Sequence, residues 1–219
     1  TAGYSVHQSL LSGDINNDGK KDLIVPVIGG VAILLNNSTP GGTISMEPPL
    51  YIKGMSGIGA YRKLSMGDIN LDGKLDLFLG GRYYVLNNST ASTISFSSPY
   101  FLPVSNSSIN EPFAVTINDF DNDGRADVAV TNLTYSTTGM DHKTYEILVN
   151  KSTPGGVSLI SSGAAGSKGI YPDIVSADID IDGHADISII EMGFFIAPNI
   201  IQGGENCIVL KNGNTPNKI

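Results

Sequence analysis

The sequence predicts an all-β protein, a β-propeller or a section of one, built from four-stranded antiparallel blades. Three observations predict it. A short acidic segment recurs four times, as GDINNDGKKDLIV at 13–25, GDINLDGKLDLFL at 67–79, NDFDNDGRADVAV at 118–130 and ADIDIDGHADISI at 177–189. A second marker follows each copy: NNSTPGGTIS from Asn36, NNSTASTISF from Asn87, NKSTPGGVSL from Asn150 and NGNTPNKI from Asn212. No stretch of the chain has helical periodicity. The leading aspartates Asp14, Asp68, Asp119 and Asp178 are 54, 51 and 59 residues apart, so the chain is a four-unit array of one supersecondary element.

Each unit reads as four strands. The first strand is a β-prone segment before the acidic loop (SVHQSLLSG, YRKLSMG, FAVTIN, DIVSA). The second is the nearly continuous apolar run after it (DLIVPVI, DLFLGG, DVAVTN, DISIIE). The third is VAILLNN, YYVLNN, YEILVN or CIVLKN, followed by the Asn/Ser/Thr/Pro/Gly turn; the fourth is a segment such as TISMEPPLYI or TISFSSPYFL. Four short strands per period of this length describe a propeller blade. The expected blades are 1–54, 55–107, 108–165 and 166–219, and the last stops where its outermost strand should begin. An outer strand left out exposes an edge that soluble proteins usually cover or pair.

With 219 residues, 41% hydrophobic and 16% charged, the chain is long and apolar enough to bury a core, and it has no continuous apolar run of membrane-spanning length. Membrane insertion is not expected. The first residues, TAGYSVHQ, are expected to lie beyond any processed leader, and Cys207, alone in the chain, reads as a small buried hydrophobe. The net charge of −8 excludes nucleic acid, whose phosphates require clustered Lys and Arg.

The acidic residues are concentrated in the loops, which hold 14 of the 21. Oxygen donors at loop positions 1, 3 and 5, a carbonyl at 7 and a carboxylate at 9, with a glycine at 6 for the sharp turn, make an oxygen cage for a hard cation. With no Cys or His at ligand spacing, such a cage favours Ca²⁺ over zinc or copper, and its several carboxylates suit Ca²⁺ better than Mg²⁺. Four Ca²⁺ ions would bring the formal charge from −8 to about zero. An EF-hand would end in Glu at position 12, but Val25, Leu79, Val130 and Ile189 stand there.

These motifs, the repeated D-x-[DN]-x-D-G-x-x-D with its apolar strand and the NNSTPGGTIS turn, resemble the FG-GAP/VCBS repeats of integrin α-subunit propellers and of bacterial secreted and surface proteins. The resemblance covers essentially the whole chain, although the FG-GAP dipeptides themselves are poorly represented. It implies that each loop joins the first two strands of a blade and binds calcium. The implied ligands are Asp14, Asn16, Asp18, Lys20 and Asp22; Asp68, Asn70, Asp72, Lys74 and Asp76; Asp119, Asp121, Asp123, Arg125 and Asp127; and Asp178, Asp180, Asp182, His184 and Asp186, with Lys20, Lys74, Arg125 and His184 contributing carbonyls. Such propellers commonly have about seven blades, so a section of a larger propeller, or one completed by another chain, is expected rather than a closed four-bladed disc.

Four equivalent sites point to a structural role for the metal, because a recruiting site need occur only once. The units differ between their second and third strands, where the connection is short in the first two and long in the others, at 132–143 and 191–205. Long loops on a rigid scaffold carry binding. Tyr135, His142, Phe194 and Phe195 are the candidate ligand-binding residues, with Ile196, Ile200 and Ile201 extending the apolar segment and Tyr61 and Tyr171 expected nearby. No nucleophile motif occurs and the three histidines are scattered, so catalysis is not expected. An arrangement of Tyr135, His142 and Arg82 as a lyase site is the enzymatic alternative. Most N-x-[ST] sequons (Asn36, Asn37, Asn87, Asn88, Asn106, Asn132 and Asn150) sit in the repeated turn, where local hydrogen bonding explains them.

The expected protein is a non-catalytic, calcium-stabilised binding or adhesion module of a secreted or cell-surface protein. Its partner would be a protein, a glycan or further propeller blades. The alternative is a lectin-like domain attached to a polysaccharide-degrading enzyme, with Tyr83, Tyr84 and Tyr135 stacking on sugars.

Overall fold

A computed structural model describes residues 10–27, 29–53, 63–80, 82–104, 110–136, 139–165, 170–192, 194–197, 200–202 and 206–210. Every regular element among them is a strand, and no helix is long and apolar enough to cross a membrane. The first sheet is a meander of β1 (Leu11–Gly13), β2 (Asp22–Val27), β3 (Gly30–Leu34) and β4 (Leu50–Lys53). The second repeats it with β5 (Leu64–Gly67), β6 (Asp76–Leu79), β7 (Tyr83–Val85) and β8 (Tyr100–Phe101). The third is β9 (Asn110–Asn118), β10 (Asp127–Ser136), β11 (Gly139–Asn150) and β12 (Leu159–Ala165). In the fourth, β13 (Ile170–Ala177), β14 (Asp186–Met192) and β17 (Asn206–Leu210) pair; β15 (Phe194–Ala197) and β16 (Ile200–Gln202) form a separate hairpin between β14 and β17. All pairings are antiparallel, as blades require.

Three apolar clusters form the core, one between each pair of consecutive units. Ile15, Ile24, Val31 and Ile33 of the first unit pack on Leu64, Leu77, Leu79 and Val85 of the second. Ile69, Phe78 and Tyr84 pack on Val115, Val128, Val130 and Leu148. Phe120, Ala129 and Ile147 meet Ile174, Ala185, Ile187 and Ile189. Among the described residues no cluster joins the fourth unit back to the first, so the described parts of the units stack as an arc.

The arc explains the burial pattern of the second strands. β6, sandwiched between two sheets, is buried at every residue, whereas β2 alternates buried with half-buried positions because only one of its faces is covered. β14 alternates in the same way, with Ile187 and Ile189 buried, Ser188 half-buried and Ile190 exposed.

The long connections are not loops. β10 and β11 continue as a paired ribbon as far as the Ser136↔Gly139 pair, so most of 132–143 is strand; Tyr135 lies on β10 and His142 on β11, opposite Thr134. In 191–205, Phe195 pairs with Ile201 in the β15–β16 hairpin. Backbone pairing absorbs the polar groups that a loop of this length would leave to solvent. The registers place these hairpins at the end of the sheets away from the acidic loops, since Asp127 pairs with Asn118 at the opposite end of β10. The side chains of Tyr135, His142, Phe194, Phe195, Ile196, Ile200, Ile201 and Tyr171 lie outside the described parts, as do Tyr61 and Asn106. At the hairpin end of the sheets, Lys63 Nζ donates to Asp173 Oδ1 at 2.7 Å and to the Ile174 carbonyl, tying the second unit to the fourth.

Candidate metal centres

Each acidic segment leaves its first strand, turns back on itself and enters the second strand, and the turn has one backbone shape throughout. The fourth and sixth positions are left-handed in all four loops: Asn17, Leu71, Asn122 and Ile181 at φ of 57, 59, 58 and 62°, and Gly19, Gly73, Gly124 and Gly183 at φ of 85, 82, 83 and 87°. Glycine adopts such angles freely and Asn tolerates them, but a β-branched Ile does so only under constraint. Ile181 is 89% exposed, so burial does not hold it there. The loop's internal hydrogen bonds fix the shape instead.

Those bonds repeat residue for residue. The first aspartate accepts the amides of positions 5 and 6, as Asp14 does from Asp18 at 3.0 Å and from Gly19 at 2.8 Å. Asp68, Asp119 and Asp178 do the same for Asp72 and Gly73, Asp123 and Gly124, and Asp182 and Gly183. The fifth aspartate accepts the amide of position 7, from Lys20, Lys74, Arg125 and His184. These bonds gather the carboxylates around one point. In the third and fourth loops one oxygen from each of Asp119, Asp121 and Asp127, and of Asp178, Asp180 and Asp186, lies within 4.8 Å of the others in its set, a grouping able to hold a metal ion. All the donors are oxygens, which fits a hard cation.

The ninth aspartate is the structural centre. Asp22, Asp76 and Asp127 are fully buried, and each accepts two amides. One is from position 2 of its own loop (Ile15, Ile69, Phe120, at 2.9–3.0 Å) and the other from the first Asn of the following turn (Asn36, Asn87, Asn150, at 2.7–2.8 Å). Asp186 accepts the Ile179 amide in the same way. In the first three units this bond links the two sequence markers. Burial pushes the Asp76 and Asp127 carboxyls up to about 6; the bonded amides of Asn87, Ile69, Asn150 and Phe120 oppose the rise, and neighbouring loop aspartates add to it. Asp22 is raised for the same reasons, burial first.

The turn asparagines carry a role the sequence did not disclose. Asn87 Nδ2 donates to the Ile15 carbonyl in the preceding unit's loop at 2.8 Å and to Leu75 O, and Asn150 Nδ2 donates to Ile69 O at 3.1 Å and to Ala126 O. Their Oδ1 atoms accept the amides of Ser89 and Ser152. Loops also touch directly, Asn17 Nδ2 on Gly73 O and Asn122 on the His184 ring. The four loops therefore form one hydrogen-bonded row along a single end of the stack.

One further expectation, the sugar-stacking role of Tyr84, changes. Tyr84 is buried, stacked between Phe78 and Tyr100, and cannot serve as a sugar platform; Arg82 lies over the rings of Tyr83 and Phe101 instead. Asn132 and Asn150 are 1% and 0% exposed, so neither sequon is accessible in the folded chain.

No curated protein matches the chain. Comparison with known protein families matches the FG-GAP-like repeat at residues 14–79 and 68–130, from the first loop through the second strand after the third. The fourth loop, beyond the matched residues, has the same left-handed positions and the same carboxylate bonds. Matched over more than half its length and built of blades whose first two strands are joined by these acidic loops, the chain belongs to the FG-GAP-like repeat family.

Proposed function

We propose that the chain is a calcium-stabilised, non-catalytic binding or adhesion module of a secreted or cell-surface protein. The observation that carries the reading is the ninth aspartate. A carboxylate buried at the junction of loop, turn and neighbouring unit, with other carboxylates gathered beside it, is costly in the ionised form unless a cation neutralises it. Ca²⁺ suits the donor set of Asp14, Asn16, Asp18 and Asp22 and its counterparts in the other loops, and the millimolar calcium outside cells would keep such sites filled. Metal bound at four such junctions contributes folding energy.

The expected outcome is binding of about four ions and a rise in unfolding temperature with free calcium, read by thermal unfolding of the chelator-treated chain with bound metal counted. A chain equally stable at every calcium level would refute it. Recognition of a protein or glycan is assigned to the end of the stack opposite the calcium loops, with Tyr135, His142, Phe194 and Phe195 as the proposed contact residues. At that end, among the described residues, the third and fourth units carry hairpins longer than those of the first two.

The two ends of the arc support a second kind of partner, another blade of the same family. Leu64, Val115 and Ile174 point into the interface with the preceding unit and are 1, 0 and 0% exposed, but Leu10 at the same place in the first unit is 60% exposed. Ile15, Ile69 and Phe120 face the following unit and are buried, whereas their counterpart Ile179 is 49% exposed. Both ends thus present the apolar half of an interface that is completed three times within the chain.

A further inference from the structure

We infer that Lys151 is a tethered cation that occupies the third metal site in the absence of calcium and must be displaced for calcium to bind there. This inference rests on the calcium reading above. Lys151 stands where the other turns have Asn37, Asn88 and Gly213, so it is the only charged residue at that position. Its ammonium bonds Asp121 Oδ2 at 2.8 Å and Asp123 Oδ2 at 3.0 Å, two of the implied ligands of the third loop.

In the first two loops the same bridge between positions 3 and 5 is made without a cation, by Asn16 Nδ2 to Asp18 and by Asn70 Nδ2 to Asp72, both at 3.2 Å. Where the third position is Asp121, an ammonium replaces that amide.

The charges follow the same logic. The first two loops carry three aspartates each, and the third carries four offset by Lys151. Calcium entering the third loop must displace two ion pairs. The bridge is also reachable, since the Lys151 side chain is 40% exposed while Asp121 is 5% exposed. The ion pairs draw the Asp123 carboxyl below the usual carboxylate range although burial alone would raise it, and they hold the Lys151 ammonium protonated above its usual range.

The test is calcium titration of the chelator-treated chain followed by the amide resonances of Gly19, Gly73, Gly124 and Gly183, one reporter in each loop. In the wild type the ammonium should hold the Gly124 midpoint about tenfold above its value without that charge, the size expected for one unit charge at close range to a partly exposed divalent site. K151N, which installs the residue of the first two turns, should bring the Gly124 midpoint down about tenfold and leave the other three glycines unmoved. K151R keeps the cation and should leave Gly124 late. An unchanged Gly124 midpoint in K151N, with the other loops titrating normally, overturns the inference alone. If none of the four glycines responds to calcium, the calcium reading itself fails and this inference falls with it.

Discussion

Asp76 and Asp127 show what a single buried carboxylate does to this protein. Each is stripped of water and held by two backbone amides among other acidic groups, so its folded pKa stands near 6 against the ordinary 3.8. A carboxyl raised on folding holds its proton more tightly in the native state. Its contribution is fully present below the unfolded pKa and is lost as pH rises through the folded one. The metal-free chain is therefore expected to lose stability between about pH 4 and pH 7, and its urea midpoint should be higher near pH 5 than near pH 7.5. Saturating calcium should abolish or reverse that slope, because a bound cation favours the ionised form. A metal-free midpoint that climbs toward neutral pH would contradict the account.

The repeating element is a loop and a turn locked together by one asparagine. Asn150 is fully buried and donates to carbonyls in two units while its backbone amide holds Asp127. Replacing it with Ala leaves Ile69 O and Ala126 O without that donor, and about 3 kcal/mol of stability should be lost. Asn36 bonds only Lys21 O through its Nδ2 among the described residues, so N36A should cost about 1 kcal/mol. Denaturant midpoints at constant m-value separate the two, and equal losses would deny that Asn150 couples adjacent units. Much of this element was legible in the sequence. The D-x-[DN]-x-D-G-x-x-D spacing specified the loop because glycine at position 6 and oxygen donors at fixed offsets leave few conformations. The NNST turn was equally plain, but its bond to the ninth aspartate was not, since Asn36 and Asp22 meet only once β2 and β3 are paired. The hairpins at 132–143 and 191–205 were read as loops because neither segment shows the apolar alternation of a strand, the first being mostly polar and the second an apolar run interrupted by Pro198.

Across the whole molecule, stability is carried by the three inter-unit clusters among the described residues, and the exposed faces at Leu10 and Ile179 add little to it. Ile69 and Ile179 hold the same loop position, one fully buried and the other about half exposed. I69A should therefore destabilise the isolated chain by about 3 kcal/mol, and I179A should change it by less than about 0.5 kcal/mol. Chemical unfolding of both variants checks the arc directly. A large loss in I179A would mean that the fourth unit's face is covered in solution, whether by the first unit or by another copy.

The sequence by itself determined the repeat, the strand order within each unit and the loop geometry, because these depend on residues close together in the chain. Only the tertiary structure decided which apolar runs are covered on both faces, that the loops line up in one bonded row, that Tyr84 is core, and that Lys151 reaches Asp121 and Asp123. Each of these is a contact between segments distant in the chain, set by how one sheet packs on the next, and no local pattern of residues encodes that placement.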